Sequence, residues 1–164
     1  MHLLSNILGG GMSSRLFQNI REKRGLVYAI DSLLHLYRDA GTLVVCAATS
    51  PKTSATVAKL ILQEFRRMRE ELVGIEELDR AKECTKGSLM LSLENSSSRM
   101  TYLAQQQIDF GRFLTLDEIL HEIDRVRRTD IRRLAREIFD SSPLTLAALG
   151  NGNGSSLESV SLRI

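Results

Sequence analysis

Few residues in this 164-residue chain have side chains suited to catalysis, and most of those have a structural reading close at hand. A hydrolytic zinc site needs about three protein ligands on rigid elements, and the only histidines are His2, His35 and His121. His121-Glu122 resembles the start of a His-Glu-x-x-His helix, but Arg125 stands where the second histidine is required. The inverted order, His-x-x-Glu-His, does not occur in the sequence. His121 therefore reads as a helix-surface residue and His35 as a strand residue, and no metal ligand is assigned to this chain. The segment Leu8-Gly9-Gly10-Gly11-Met12-Ser13-Ser14-Arg15 has the glycine content of a phosphate cradle. It lacks both the Gly-Lys-Ser/Thr end of a P-loop and a preceding strand, so it reads as a helix stop followed by the cap of the next helix.

Glu76, Glu77, Asp79 and Glu83 could serve acid–base work, but Arg80, Lys82 and Lys86 lie at helical spacing to neutralise them, and surface ion pairs are expected. Ser96, Ser97 and Ser98 have no positioned general base in the sequence and are expected to cap a helix. The run Arg125, Arg127, Arg128, Arg132, Arg133, Arg136 is broken by Asp124, Asp130 and Glu137 and has no interleaved aromatics for base stacking. It is expected to be a solvated face laced with ion pairs, and no nucleic-acid partner is assigned. The formal charge of +2, from 22 basic and 20 acidic residues, does not argue for a polyanionic partner or a membrane surface.

The elements that must carry these residues follow from periodicity. Leu3, Leu4, Ile7 and Leu8 share one face of a helix that lacks an N-cap, as if its start lay before residue 1. Gly9-Gly10-Gly11 is expected to end it through the positive φ that glycine adopts freely. Ser13 and Ser14 cap a second helix over about Arg15–Lys23, with Leu16, Phe17 and Ile20 on its buried stripe. Leu26–Tyr37 and Thr42–Thr49 read as an antiparallel hairpin. A long helix follows Pro51, with Val57, Leu60, Ile61, Phe65, Met68 and Leu72 inward. Another runs from Gly74 to about Glu94, one from the Asn95-Ser96-Ser97-Ser98 cap to Gly111, and two shorter ones over about Leu116–Val126 and Thr129–Phe139. Leu144–Leu149 reads as a short buried strand, and 151–164 as a flexible tail.

The fold class expected is α+β, an antiparallel or mixed sheet with helices packed mainly on one face, in one domain over residues 1–150. Cys46 and Cys84 sit far apart in apolar periodic segments and read as reduced core residues of a cytoplasmic protein.

Two segments carry a resemblance. Leu8-Gly9-Gly10-Gly11-Met12-Ser13-Ser14-Arg15-Leu16-Phe17, followed by Arg21-Glu22-Lys23-Arg24-Gly25-Leu26-Val27-Tyr28, resembles the pitrilysin/insulinase (M16) zinc peptidase family, which includes mitochondrial processing peptidase. The match is to its C-terminal half, the one without zinc, truncated here at its N-terminus, and it covers about residues 1–150. The resemblance implies that Arg21 and Tyr28 are the site residues, reaching a substrate carbonyl near the scissile bond. A guanidinium and a phenol can fix an extended peptide and stabilise developing oxyanion charge. It also implies that zinc is held by an N-terminal half, that this chain alone is inactive, and that its partners are a peptide and that half. A homo-oligomer stays open, since a sheet lacking its first strand could be completed by another molecule. The rival reading is a scaffold or partner subunit that keeps the fold without zinc.

Overall fold

The structure, a computed structural model, describes residues 1–141, 144–151, 157 and 160–162. In chain order these form α1 (His2–Gly9), a π-helical segment (Phe17–Glu22), β1 (Val27–Leu36), β2 (Gly41–Thr49), α2 (Ser54–Glu70), α3 (Ile75–Glu94), α4 (Ser96–Phe110), α5 (Leu116–Arg125) and α6 (Arg128–Ser141). The α+β class expected from the sequence is the class observed.

Helix α1 buries Leu3, Leu4, Ile7 and Leu8, the stripe read from the sequence. It lies on β1 so closely that a Cβ on Gly9 would meet the Ser32 amide nitrogen at 2.6 Å. The Ser5 and Ser32 hydroxyls lie 2.9 Å apart in this seam, and Ser32 Oγ donates to the Ser5 carbonyl at 2.7 Å, so the buried polar atoms are paired. The glycine run therefore works differently from expectation. Gly10 closes the helix at φ −80°, and none of Gly9, Gly10 and Gly11 is left-handed. What Gly9 supplies is the absence of a side chain where helix and strand touch.

β1 and β2 form an antiparallel hairpin with Ile30 opposite Ala47, Ser32 opposite Val45 and Leu34 opposite Leu43. Below it, Leu4, Leu8, Leu16, Ile20 and Met68 have fully buried side chains. The rings of Phe65 on α2 and Phe139 on α6 stack at 4.7 Å and close the helical side of this core. Of the residues expected inward on α2, Val57, Phe65 and Met68 are buried, while Leu60 and Ile61 pack partly against the core. Leu72 is exposed, because α2 ends at Glu70 and the backbone becomes extended at Glu71, which turns Val73 inward instead.

Three local expectations fare differently. Asn95 caps α4 by accepting the Ser98 N–H at 3.1 Å, and Thr115 and Glu118 form a reciprocal capping box on α5. Both cysteines are free, as read, but exposed rather than buried. Cys46 pairs with Asp31, on the sheet face opposite Leu43 and Val45. Cys84 comes three residues after Ala81, past the buried part of α3, whose buried residues are Leu78 and Ala81. Leu144–Leu149 is not a strand. A lone extended segment needs a neighbour for its N–H and C=O groups, and the sheet contains only β1 and β2 among the described residues. The tail expected over 151–164 falls largely outside the described residues; within it, Val160 is buried and Leu157 and Leu162 pack against the core. Among the described residues no helix is long and apolar enough to cross a membrane.

Candidate functional site

The residues singled out by resemblance lie at the two ends of one corner, where the chain leaves the π-helical segment and enters β1. Residues Arg15 and Leu16 start as α-helix, and the turn then widens, with Lys23 N–H reaching the Gln18 carbonyl at 3.1 Å, five residues back. Gly25, at φ +60°, reverses the chain, its N–H bonding the Arg21 carbonyl at 2.9 Å, and the Leu26 N–H returns to Ile20 at 3.1 Å. Arg24 donates from Nη1 to the Asn19 carbonyl at 2.6 Å, which makes it a cap of this turn. The guanidinium of Arg21 lies 4.7 Å from the centre of the Phe17 ring, one helical turn back, a cation–π contact that keeps its charge at the surface.

Tyr28 owes its orientation to a β-bulge. Val27 pairs with Thr49 and Ala29 with Ala48, which leaves Tyr28 as the extra residue. Val27 and Ile30 can then both point inward although three positions apart, and Tyr28 projects outward with 84% of its surface exposed. It lines a shallow depression of about 510 Å³ with Gly25, Leu26 and Val27 on one side and Ala48, Thr49, Ser50 and Thr53 on the other. The hydroxyls here are mutually bonded: Thr49 Oγ1 donates to the Leu26 carbonyl at 2.7 Å and lies 2.8 Å from Thr53 Oγ1. No charged side chain lines the depression, and Arg21 is not among its walls. The structure thus brings both residues to one corner, with Tyr28 on this depression and Arg21 outside it.

Behind the corner lies a polar cluster that sequence patterning did not reveal. Arg15 grips Glu77 through Nε at 2.7 Å and Nη2 at 2.9 Å. Glu77 Oε2 also accepts the Gly74 N–H at 3.0 Å, capping α3. Burial pushes the Glu77 carboxyl upward, but the hydrogen bonds and charge of Arg15, with the Gly74 N–H, outweigh it and hold it below the usual carboxylate range. Burial likewise opposes the Arg15 charge, and Glu77, followed by the more distant Glu64 and Glu71, raises it above its ordinary value. Glu77 is therefore not one of the exposed pairs expected on α3; the Glu76–Arg80 and Glu83–Lys86 pairs are. No helical spacing could have found a partner 62 residues away.

A larger groove of about 1100 Å³ runs between α1, β1, α3, α5 and α6. His2 and His121 both line it, while His35 faces outward on β1 opposite Thr42. Among the described residues no group of three or more His, Cys, Asp or Glu side chains could hold a metal ion. The donor set among the described residues does not fit a zinc site, and no catalytic step is assigned to a metal here. The arginine run is laced as expected, with Arg125 on Glu122 at 2.9 Å and Arg133 on Glu137 at 3.0 Å; Arg128 and Arg136 instead reach the Val73 and Arg69 carbonyls.

Residues 1–84 match the family model described as the peptidase M16 inactive domain. The protein named uncharacterized zinc protease YmxG, from Bacillus subtilis (strain 168), is 37% identical over 137 residues, 84% of this chain and 34% of that protein. A conserved protein from Enterococcus faecalis V583 superposes with a TM-score of 0.74 at 25% identity, over 82% of this chain and 31% of the other. The peptidase M16 inactive domain from Pseudomonas fluorescens gives 0.71 at 23% identity, over 83% of this chain and 32% of that one, a likeness of fold. The chain spans about one third of the length of the curated relatives it matches. With a family model covering half its length and a fold shared with M16 structures, this chain belongs to the peptidase M16 family and carries its inactive C-terminal domain.

Proposed function

We propose that this chain serves a zinc metalloendopeptidase as its non-zinc half, presenting Tyr28 and Arg21 to a peptide held against a metal centre on an N-terminal half. The observation that carries the reading is the bulge at Tyr28, which turns a phenol outward beside an uncharged depression where a main-chain carbonyl can reach it. Arg21 supports it, being exposed and without an ion pair among the described residues, so its guanidinium is free to meet a carbonyl or carboxylate. The names of relatives as zinc proteases point the same way. By itself the chain is expected to cleave nothing, and its site of action is read as cytoplasmic.

The test is peptide hydrolysis by the full-length protein, or by this chain combined with a zinc-bearing half. Tyr28→Phe is expected to lower kcat by roughly 10²-fold with zinc content unchanged. Wild-type kcat in that variant removes the proposed role. The second reading, a scaffold subunit, draws on the family description of this domain as inactive. It would prevail if the upstream half lacked His-x-x-Glu-His.

A further inference from the structure

The mechanism proposed above leaves one buried ionisable group without a task. Glu64 sits on α2 with only 5% of its surface exposed, and its Oε2 has no hydrogen-bond partner. A carboxylate is costly to hold there unless a specific interaction requires it. Its Oε1 accepts from Asn19 Nδ2 at 2.8 Å and, more weakly, from Arg67 Nη1 at 3.3 Å. Asn19 is the hub of the π-helical segment. Its Oδ1 accepts from Lys23 Nζ at 3.3 Å, and its carbonyl accepts from Arg24 at 2.6 Å. Arg15, at the start of the same turn, feels the Glu64 charge as well as that of Glu77. A widened turn is less stable than regular helix and persists where its surroundings hold it. The Asn19–Glu64 bond ties this one to α2, two residues before Arg21 and nine before Tyr28.

We propose that Glu64, acting through Asn19, is a positioning residue that fixes the π-helical turn and with it the placement of Arg21 and Tyr28. The catalytic part of this proposal rests on the functional reading above; the structural part stands alone. Amide hydrogen exchange on the full chain separates them. In Asn19→Ala and Glu64→Leu the Gly25 and Leu26 amides, which close the turn, should exchange roughly tenfold faster while the β1–β2 ladder keeps its protection. Glu64→Gln retains an acceptor for Asn19 and should stay near wild type. In the assembled peptidase, Asn19→Ala should lower kcat more than it changes KM, and Glu64→Gln should preserve both.

Unchanged exchange at Gly25 and Leu26, or an equal rise across the hairpin, overturns the proposal. So does a local rise in exchange with wild-type kcat in an enzyme whose Tyr28→Phe variant is impaired. A Tyr28→Phe variant of full activity sinks the functional reading alone, and the exchange data then decide whether Glu64 holds the turn.

Discussion

Between Arg15 and Val27 the inward apolar side chains Leu16, Ile20 and Val27 are buried, and Arg15 and Asn19 find partners on α3 and α2. Helix α4 is the opposite case. It buries only Gln106, and Met100, Ile108 and Phe110 are each more than 60% exposed. Yet α4 starts and stops cleanly, on the Asn95 cap and on Gly111 at φ +67°. The contrast shows two ways of fixing a helix: α4 is delimited by neighbours in sequence, whereas the corner is shaped by residues 45 and 62 positions away.

Five measurements can break or sharpen that contrast. Leu16→Ala, at a fully buried position, should cost about 3 kcal/mol in urea unfolding. A cost comparable to a surface change would mean that the corner is not core. Glu77→Ala should cost about 2 kcal/mol, because it leaves the Arg15 guanidinium buried without its bidentate partner and α3 without its cap.

The same pair predicts a pH dependence with a definite sign. A carboxyl held low in the fold and ordinary when unfolded contributes its full stabilisation above the unfolded value of about 4.3. That contribution is lost as pH falls through the lower folded value. Below about pH 4.5, stability should therefore decline more steeply in the wild type than in Glu77→Gln. Parallel pH curves would show that the Arg15–Glu77 contact does not persist in solution.

Asn95→Ala should cost about 1 kcal/mol, the worth of one side-chain cap. Ile108→Ala should change stability by less than about 0.5 kcal/mol in the isolated chain, since that side chain is already in water. A loss of 2 kcal/mol or more at Ile108 would mean that the exposed face of α4 is covered in solution, and the two regions would no longer differ in kind.

Helices α3, α4 and α5 were legible because their boundaries are local: Gly74 with Glu77, Asn95, Gly111 and the Thr115/Glu118 box each act within a few residues. The hairpin was legible for the same reason, its two runs separated by a short polar turn. At the site, the resemblance brought Arg21 and Tyr28 forward, and both lie at the corner between the π-helical segment and β1. The bulge beneath Tyr28 was not legible. A strand's alternation shows which faces are apolar, but an inserted residue depends on the partner strand. The π-helical turn was hidden likewise, because Leu16 and Ile20 satisfy a 3.6-residue period equally well.

By itself, the sequence determined where α3, α4 and α5 begin and end, which stripe of α1 is apolar, and that no histidine pair could make a zinc helix. Capping and periodicity act over one or two turns, and a missing ligand is missing in any fold. Only the tertiary structure decided that Gly9 is there for contact with Ser32, that Arg15 answers Glu77, that the cysteines face water, and that Leu144–Leu149 has no strand beside it among the described residues. Each of these depends on atoms brought together from distant positions, and one-dimensional spacing carries no record of such neighbours until the chain has closed on itself.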